Sequence, residues 1–472
     1  MSSVEEEIRK VYREGEDQTV AWLLGFVERA ERAITDGVER VVELEARLEA
    51  LEVRGAAATS QNSSKPPSQD PFRNTAKRKR RRRRRGERHH SGGRALLPAS
   101  EVDEFRDVYP TSCKGCGLPL TSESQLAGAP GRWQQVEIPE PAATVTEWRT
   151  HACKCGGCGV TTRALAPAGA GESFGPRLRA TIATLSADKR QTTRQLVELL
   201  RDCYGVTISV GQVAAVTQRV GALLEPAAAE LREGVLAGDA CHADETSWRV
   251  ANKRAWLWGL FNADSAYYEI RSSRGGAVAE RLVPISYRGV AHTDCYSAYS
   301  HLAAGNRQLC WAHLARHFTA LAESDDEVAR AFGERGLMIS DRVFKLSREA
   351  GESSARRRAR IVADVDALVA VGLTSESTRT MATTLAKHRG SLWHCLERVD
   401  VDATNNHAER LIRPAVIKRK LSFGSGSARG ARATAALLSV VTTARLRGAS
   451  PFAFVEEAVR AAQAGSVLPL LA

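Results

Sequence analysis

The sequence has no apolar run near the roughly 20 residues that a membrane span needs. Its opening residues, MSSVEEEIRK, lack the apolar stretch of a signal peptide. Both absences predict a soluble, cytoplasmic protein with no membrane partner. Cysteine is scarce: ten in 472 residues are too few for a disulfide framework. Lysine is scarcer relative to its partner cation, 12 against 55 arginines, so a preference for arginine marks no particular surface. Aromatic residues make up 6%, but hydrophobic residues reach 43% and charged residues 26%, ordinary globular usage. That excludes a wholly disordered or collagen-like chain. The length allows roughly three domains of about 150 residues each.

What is present is unevenly distributed. The net charge is +12, and nine consecutive cations supply three quarters of it: Lys77, Arg78, Lys79, Arg80, Arg81, Arg82, Arg83, Arg84 and Arg85. Such a run repels itself, stays solvated and suits phosphate backbones without reading sequence. It sits in a disordered basic linker, residues 56–98, whose Ser, Pro and Asn cannot bury a core. Before it, residues 1–55 carry a heptad seam. Val20, Val27, Ile34, Val41 and Leu48 stand at a; Leu23, Ala30, Gly37, Leu44 and Leu51 stand at d. β-branched a positions with mostly Leu at d predict a parallel coiled-coil dimer.

Five cysteines cluster between residues 113 and 158. Cys113 and Cys116, then Cys155 and Cys158, each form a CxxC followed by glycine, which permits the tight turn that aims two thiolates at one point. Two such knuckles predict a four-thiolate Zn²⁺ site in a small zinc ribbon over residues 99–165. The runs VEIPEP and ATVTEWRTH between them read as strands, and His151 and Cys153 are spare ligand candidates. Residues 173–232 read as a helical, helix-turn-helix-like DNA-binding region, with Gly205 at the turn and Ser209 as N-cap.

From residue 235 the pattern changes to an α/β core. Three strands, a helix, a strand, a second helix and a fifth strand are followed by an all-α insertion at about 320–400. The core closes near residue 430, and residues 431–472 form a C-terminal helical region. Three acidic residues stand out in this core: Asp244 in the first strand, Asp294 at the end of the fourth and Glu409 at the start of a late helix. An acid in an apolar strand is costly unless paired or metal-bound. Phosphodiester chemistry needs such acids, because three carboxylates on rigid elements can hold two divalent cations about 4 Å apart. Asp239, Glu245, Glu397 and Asp402 are nearby competitors for those roles.

The chain resembles transposases of the insertion-sequence-66 family. The resemblance rests on several motifs in order: Asn62 to Ser68 (NSSKPPS), the paired knuckles, Gly175-Pro176, Ala243 to Thr246 (ADET) and Thr293 to Tyr296 (TDCY). It continues with Cys310 to His313 (CWAH) plus Arg316, Asn406 to Arg410 (NHAER), Arg413-Pro414 and Arg419-Lys420. It implies a multidomain α/β protein: a ribonuclease-H-like mixed-sheet catalytic core with an all-α insertion, an N-terminal coiled coil and a small zinc ribbon.

The resemblance also implies the activity. Asp244, Asp294 and Glu409 would be the DDE triad holding Mg²⁺ or Mn²⁺, separated by 49 and 114 intervening residues. The enzyme would be a polynucleotidyl transferase that binds the ends of an insertion sequence, cleaves the strand and transfers it into target DNA. Its partners would be double-stranded DNA, a second copy of the chain or a higher assembly, and accessory proteins of the same element, at the bacterial nucleoid. Many such enzymes carry a cation seven residues after the glutamate; here that position is Val416, flanked by Arg413 and Lys418, which are the expected DNA contacts. The competing reading is a catalytically inert zinc-containing DNA-binding protein.

Overall fold

A computed structural model of the chain describes Gly15 and residues 95–472, apart from residues 126, 141–142, 350–353, 470 and 472. The expected coiled coil over residues 1–55 and the basic run of residues 77–85 lie outside the described residues. The described chain divides into two compact units, residues 148–197 with 208–472, and residues 95–147 with 198–207.

In the larger unit a short hairpin, β1 (Ala152–Lys154) and β2 (Thr161–Arg163), precedes the helices α1 (Pro176–Ala187), α2 (Thr193–Tyr204, of which residues 198–204 count with the smaller unit), α3 (Val210–Leu223) and α4 (Glu225–Leu236). Ser209 caps α3 in a reciprocal capping box with Gln212. Gly205, before it, takes φ +62°. Three antiparallel strands follow: β3 (Ala240–Val250), β4 (Lys253–Phe261) and β5 (Ala266–Arg271). Helix α5 (Gly276–Leu282) leads to β6 (Val290–Thr293), which pairs parallel with β3, and β7 (Arg307–Leu309) pairs parallel with β6. The result is a five-stranded mixed sheet in the order β5-β4-β3-β6-β7. The helix expected between the fourth and fifth strands is instead two 3-10 turns, Ser297–Tyr299 and Ala304–Asn306. The connection is just long enough to cross between adjacent parallel strands, which leaves little chain for a regular helix.

Beyond β7 the chain is helical: α6 (Trp311–Ala322), α7 (Glu327–Leu346), α8 (Ser354–Gly372), α9 (Glu376–Lys387), the single turn α10 (His394–Glu397), α11 (Asn406–Ser422), α12 (Ala428–Leu446) and α13 (Pro451–Gln463). The inserted helices share one core in which Trp311, Phe318, Ile339, Val365 and Leu385 pack with Val290 and Leu309 of the sheet. Helices α6 and α7 approach so closely that a Cβ on Gly333 would lie 2.3 Å from the Ala322 amide nitrogen. The insertion is therefore fastened to the strands that flank Asp294.

The sheet is covered on both sides. One face packs Cys241, Ala243, Trp258 and Leu260 under α5. The other packs Trp248, Leu257, Phe261 and Tyr268 under α11 and α12. Burying each large apolar side chain contributes about 1.5–3 kcal/mol. The edge strand β5 is sealed by α12: Ser439 Oγ accepts from the Tyr268 amide and Thr443 Oγ from the Ala266 amide, both at 2.9 Å. After α11 the chain turns at Gly424, at φ +107°, and the Ser425 amide donates to Arg249 O at 2.9 Å.

In the smaller unit the segment expected to supply ribbon strands departs from that reading. Among its described residues from 136 to 147 there is no strand, nor in residues 148–150 that follow. Pro139 and Pro141 remove amide donors, and Val136, Ile138 and Val145 are exposed.

Candidate active site

The β3–β6 register sets the geometry. His242 pairs with His292 across the parallel strands, and their rings stack at 4.0 Å and 9°. Two residues on from these histidines stand Asp244, still within β3, and Asp294, just past the end of β6. The pairing that ends at His242 and His292 leaves these two acids, far apart in sequence, within electrostatic range of each other. Asp244 accepts from the Glu245 amide and Asp294 from the Tyr296 amide, each at 2.9 Å. Neither forms an ion pair among the described residues.

Helix α11 brings the third acid over this face. Asn405, 1% exposed, staples the helix start to β3. Its Nδ2 donates to Ala243 O at 2.8 Å, its Oδ1 meets His242 Nδ1 at 3.0 Å, and its amide donates to Cys310 Sγ at 3.1 Å. His407 adds a bond to Asn262 O at 2.8 Å. At the far end Arg419 donates to Thr246 Oγ1 at 3.2 Å. Glu409, in the first turn, is half-buried, and Arg316 of α6 donates to both of its oxygens, at 3.2 and 3.3 Å. His313 Nε2 lies 3.6 Å from the same carboxylate.

The electrostatics follow from this convergence. Burial, then the carboxylates of Glu245 and Asp294, pushes the Asp244 carboxyl well above its usual range, and Glu409 adds to the effect. The same burial, with His292 alongside, pushes His242 down to about 2, so the stacked imidazoles are neutral. Burial and then Arg316 lower His313. Among the described residues, no group of three or more His, Cys, Asp or Glu side chains is gathered closely enough to hold a metal ion. The three acids share one electrostatic environment, while Glu409 is held by Arg316.

Residues 171–433 match the transposase IS66 family. The chain belongs to that family. Residues 27–95 match a family of unknown function. The chain is 27% identical to protein y4qI of Sinorhizobium fredii over 393 residues, 74% of this chain and 70% of that protein. It is 25% identical to y4hP of the same organism over 404 residues, with the same coverage. A third relative there, y4jD, is 24% identical over 303 residues, 56% of this chain and 58% of the relative.

Other sequence-predicted residues of this IS66 family member fall in mixed settings. Arg413 is exposed on α11. Lys418 is not available to DNA in this arrangement: it is buried, and its ammonium donates to Ser186 O at 2.8 Å and Ser186 Oγ at 3.2 Å. The two cysteine turns are near copies. In each, the first cysteine's amide bonds to the residue after the glycine, and the glycine amide bonds back to the first cysteine. Gly117 and Gly159 take φ +76° and +74°. Amides of Cys116 and Gly115 lower the Cys113 thiol; those of Cys158 and Gly157 lower Cys155. Cys113 and Cys116 belong to one unit, Cys155 and Cys158 to the other.

Three contributors were not singled out from sequence. Asn405 and the His242–His292 stack shape the acidic face. Arg274 forks onto Glu245 at 2.7 and 3.0 Å while lying between the rings of Trp256 and Tyr296. The only sequence signal was the histidine two residues before each aspartate. Among the described residues no helix is long and apolar enough to cross a membrane.

Proposed function

We propose that this family member is a DDE transposase that cleaves DNA at the ends of an insertion sequence and transfers the freed strand into target DNA. The observation that carries the reading is the electrostatic convergence of Asp294 and Glu409 on the buried Asp244, with Asp244 and Asp294 in no ion pair among the described residues. The strand order, with three antiparallel strands and two parallel ones under α11, supports a ribonuclease-H-like core.

Asp244, Asp294 and Glu409 would hold Mg²⁺ or Mn²⁺. Hard carboxylate oxygens suit such cations, and positive charge entering there would offset the crowding that raises the Asp244 carboxyl. Bound there, a pair of divalent cations would offset charge on the attacking and leaving oxygens. To hold such a cation Glu409 would give up its bonds to Arg316, whose guanidinium would supply positive charge beside the site. The neutral histidine stack and Asn405 keep α11 seated without adding charge. The reaction class is in-line phosphoryl transfer. Water attacks at the element end and leaves a 3′-hydroxyl, which then displaces an oxygen of a target phosphodiester.

Cutting two ends together calls for two copies of the chain, a task that suits the heptad seam of residues 1–55. The basic run of residues 77–85, Arg413 and the α2–α3 region suit the DNA. The test of the whole reading is cleavage. The full chain with Mg²⁺ should nick a duplex bearing the element's end, and Asp244→Asn, Asp294→Asn and Glu409→Gln should each abolish nicking in a folded protein. Normal cutting by any of these variants overturns the triad.

A further inference from the structure

We propose that the helical insertion carries a second DNA-binding surface, a cationic cleft between α7 and α8 that grips duplex phosphates without reading sequence. The cleft has a volume of about 510 Å³. Arg342, Lys345, Arg357 and Arg360 line it, with Glu349 at its rim and Ile361, 2% exposed, beneath. Arg348 and Arg356, both exposed, extend the positive surface beyond it. Helical spacing explains the alignment. Arg342 and Lys345 stand three apart on α7, Arg356 and Arg360 four apart on α8, so each pair shares a face.

What distinguishes this surface is its uncompensated charge. Arg342 pairs with Asp364, Arg357 with Glu349 and Arg358 with Glu397. Lys345, Arg348, Arg356 and Arg360 form no ion pair among the described residues, and neither does Asp341, the nearby acid on α7. Elsewhere in the same helical block Arg389 is answered by an acid: it forks onto Asp366 with two bonds of 2.6 Å. Like charges lining and flanking one cleft repel one another, a cost that an external polyanion removes. Their spread over two helices exceeds one phosphate group and fits a repeating backbone. The insertion shares its core with β6 and β7, so a duplex held here is held by the body that carries Asp294.

The inference rests on the transposase reading for its partner, and its test makes no use of the acids. Binding of the full chain to a labelled duplex of arbitrary sequence is followed by anisotropy in EDTA across a potassium chloride series. Replacing Lys345, Arg348, Arg356 and Arg360 together by Ala should lower the slope of log affinity against log salt by about 3 to 4, at about 0.9 per lost phosphate contact. Affinity at low salt should fall at least tenfold. Arg348→Gln with Arg356→Gln, both on the open surface, should give about half that change and guards against a misfolded quadruple variant. Replacing the three arginines by Lys should leave the slope as it was. The basic run of residues 77–85 is present in every arm and cancels. An unchanged slope in either folded variant overturns the proposal. Saturation by pyrophosphate without competition from duplex also overturns it, because the cleft would then serve a small anion. If only the catalytic reading fails, the slope changes persist; if only this one fails, Mg²⁺-dependent nicking persists.

Discussion

Asp244 and Glu245 are consecutive residues of β3 and project from opposite faces of the sheet. On the α5 face Glu245 is 2% exposed at its side chain and fully answered: Arg274 forks onto it and the Tyr299 hydroxyl donates at 2.9 Å. Arg274 is itself clamped between Trp256 and Tyr296. On the α11 face Asp244 has a backbone amide, the carboxylates of Glu245, Asp294 and Glu409 within electrostatic range, and no ion pair among the described residues. A buried acid that the fold has neutralised holds structure together. A buried acid that the fold has surrounded with more acid is waiting for charge from outside. The difference separates two neighbours that composition and spacing treat alike.

The largest expected effect breaks this comparison on the functional side. Losing any of Asp244, Asp294 or Glu409 removes several kcal/mol of charge stabilisation in phosphoryl transfer, roughly a thousand-fold in rate. Single-turnover nicking measures it; Glu245→Gln should retain far more activity than Asp244→Asn. On the structural side the order reverses. Arg274→Ala strands a buried carboxylate and should cost about 3 kcal/mol in urea unfolding. Asp244→Asn should change stability by less than about 1 kcal/mol, and in the stabilising direction, because it removes a crowded acid. Adding Glu245→Gln to Arg274→Ala should recover part of the loss in a double-mutant cycle. If Asp244→Asn destabilises as much as Arg274→Ala, the two faces do not differ as described.

Much of the α/β core was legible because its strands are short, β-branched and aromatic, and because an acid in an apolar run announces itself. The proximity of Asp244 and Asp294 follows once β3 and β6 are parallel neighbours, but the partners that tune the site come from afar. Arg316 reaches Glu409 across 93 residues, and Asn405 reaches Ala243 across 162. No local pattern carries such pairings. The strands expected at VEIPEP failed because prolines outweigh β-branched neighbours. Lys418 was expected to contact DNA because it flanks the position seven residues after Glu409. Instead it donates to Ser186 of α1, and spacing along one helix does not report what packs against it.

Lys418 offers the subtlest test, because it inverts the Asp244 case: a buried cation on the same helical layer with no acid beside it. Burial pushes its ammonium down from the ordinary 10.5 to about 8. The folded state therefore releases its proton more readily than the unfolded chain. Below about pH 8 both states are protonated and the folded state bears the full burial cost; above 10.5 both are neutral and the cost is gone. Between those limits stability must rise with pH, by up to about 3 kcal/mol at 1.36 kcal/mol per unit. Tyrosines and cysteines titrate in the same window, so the quantity to measure is the difference between the native chain and Lys418→Met, which keeps the apolar stem. That difference should favour the native chain progressively from pH 8 to 10.5. A difference that stays flat would mean that the two bonds to Ser186 sustain a charged ammonium, and that this side of α11 tolerates unpaired charge as the acidic side does.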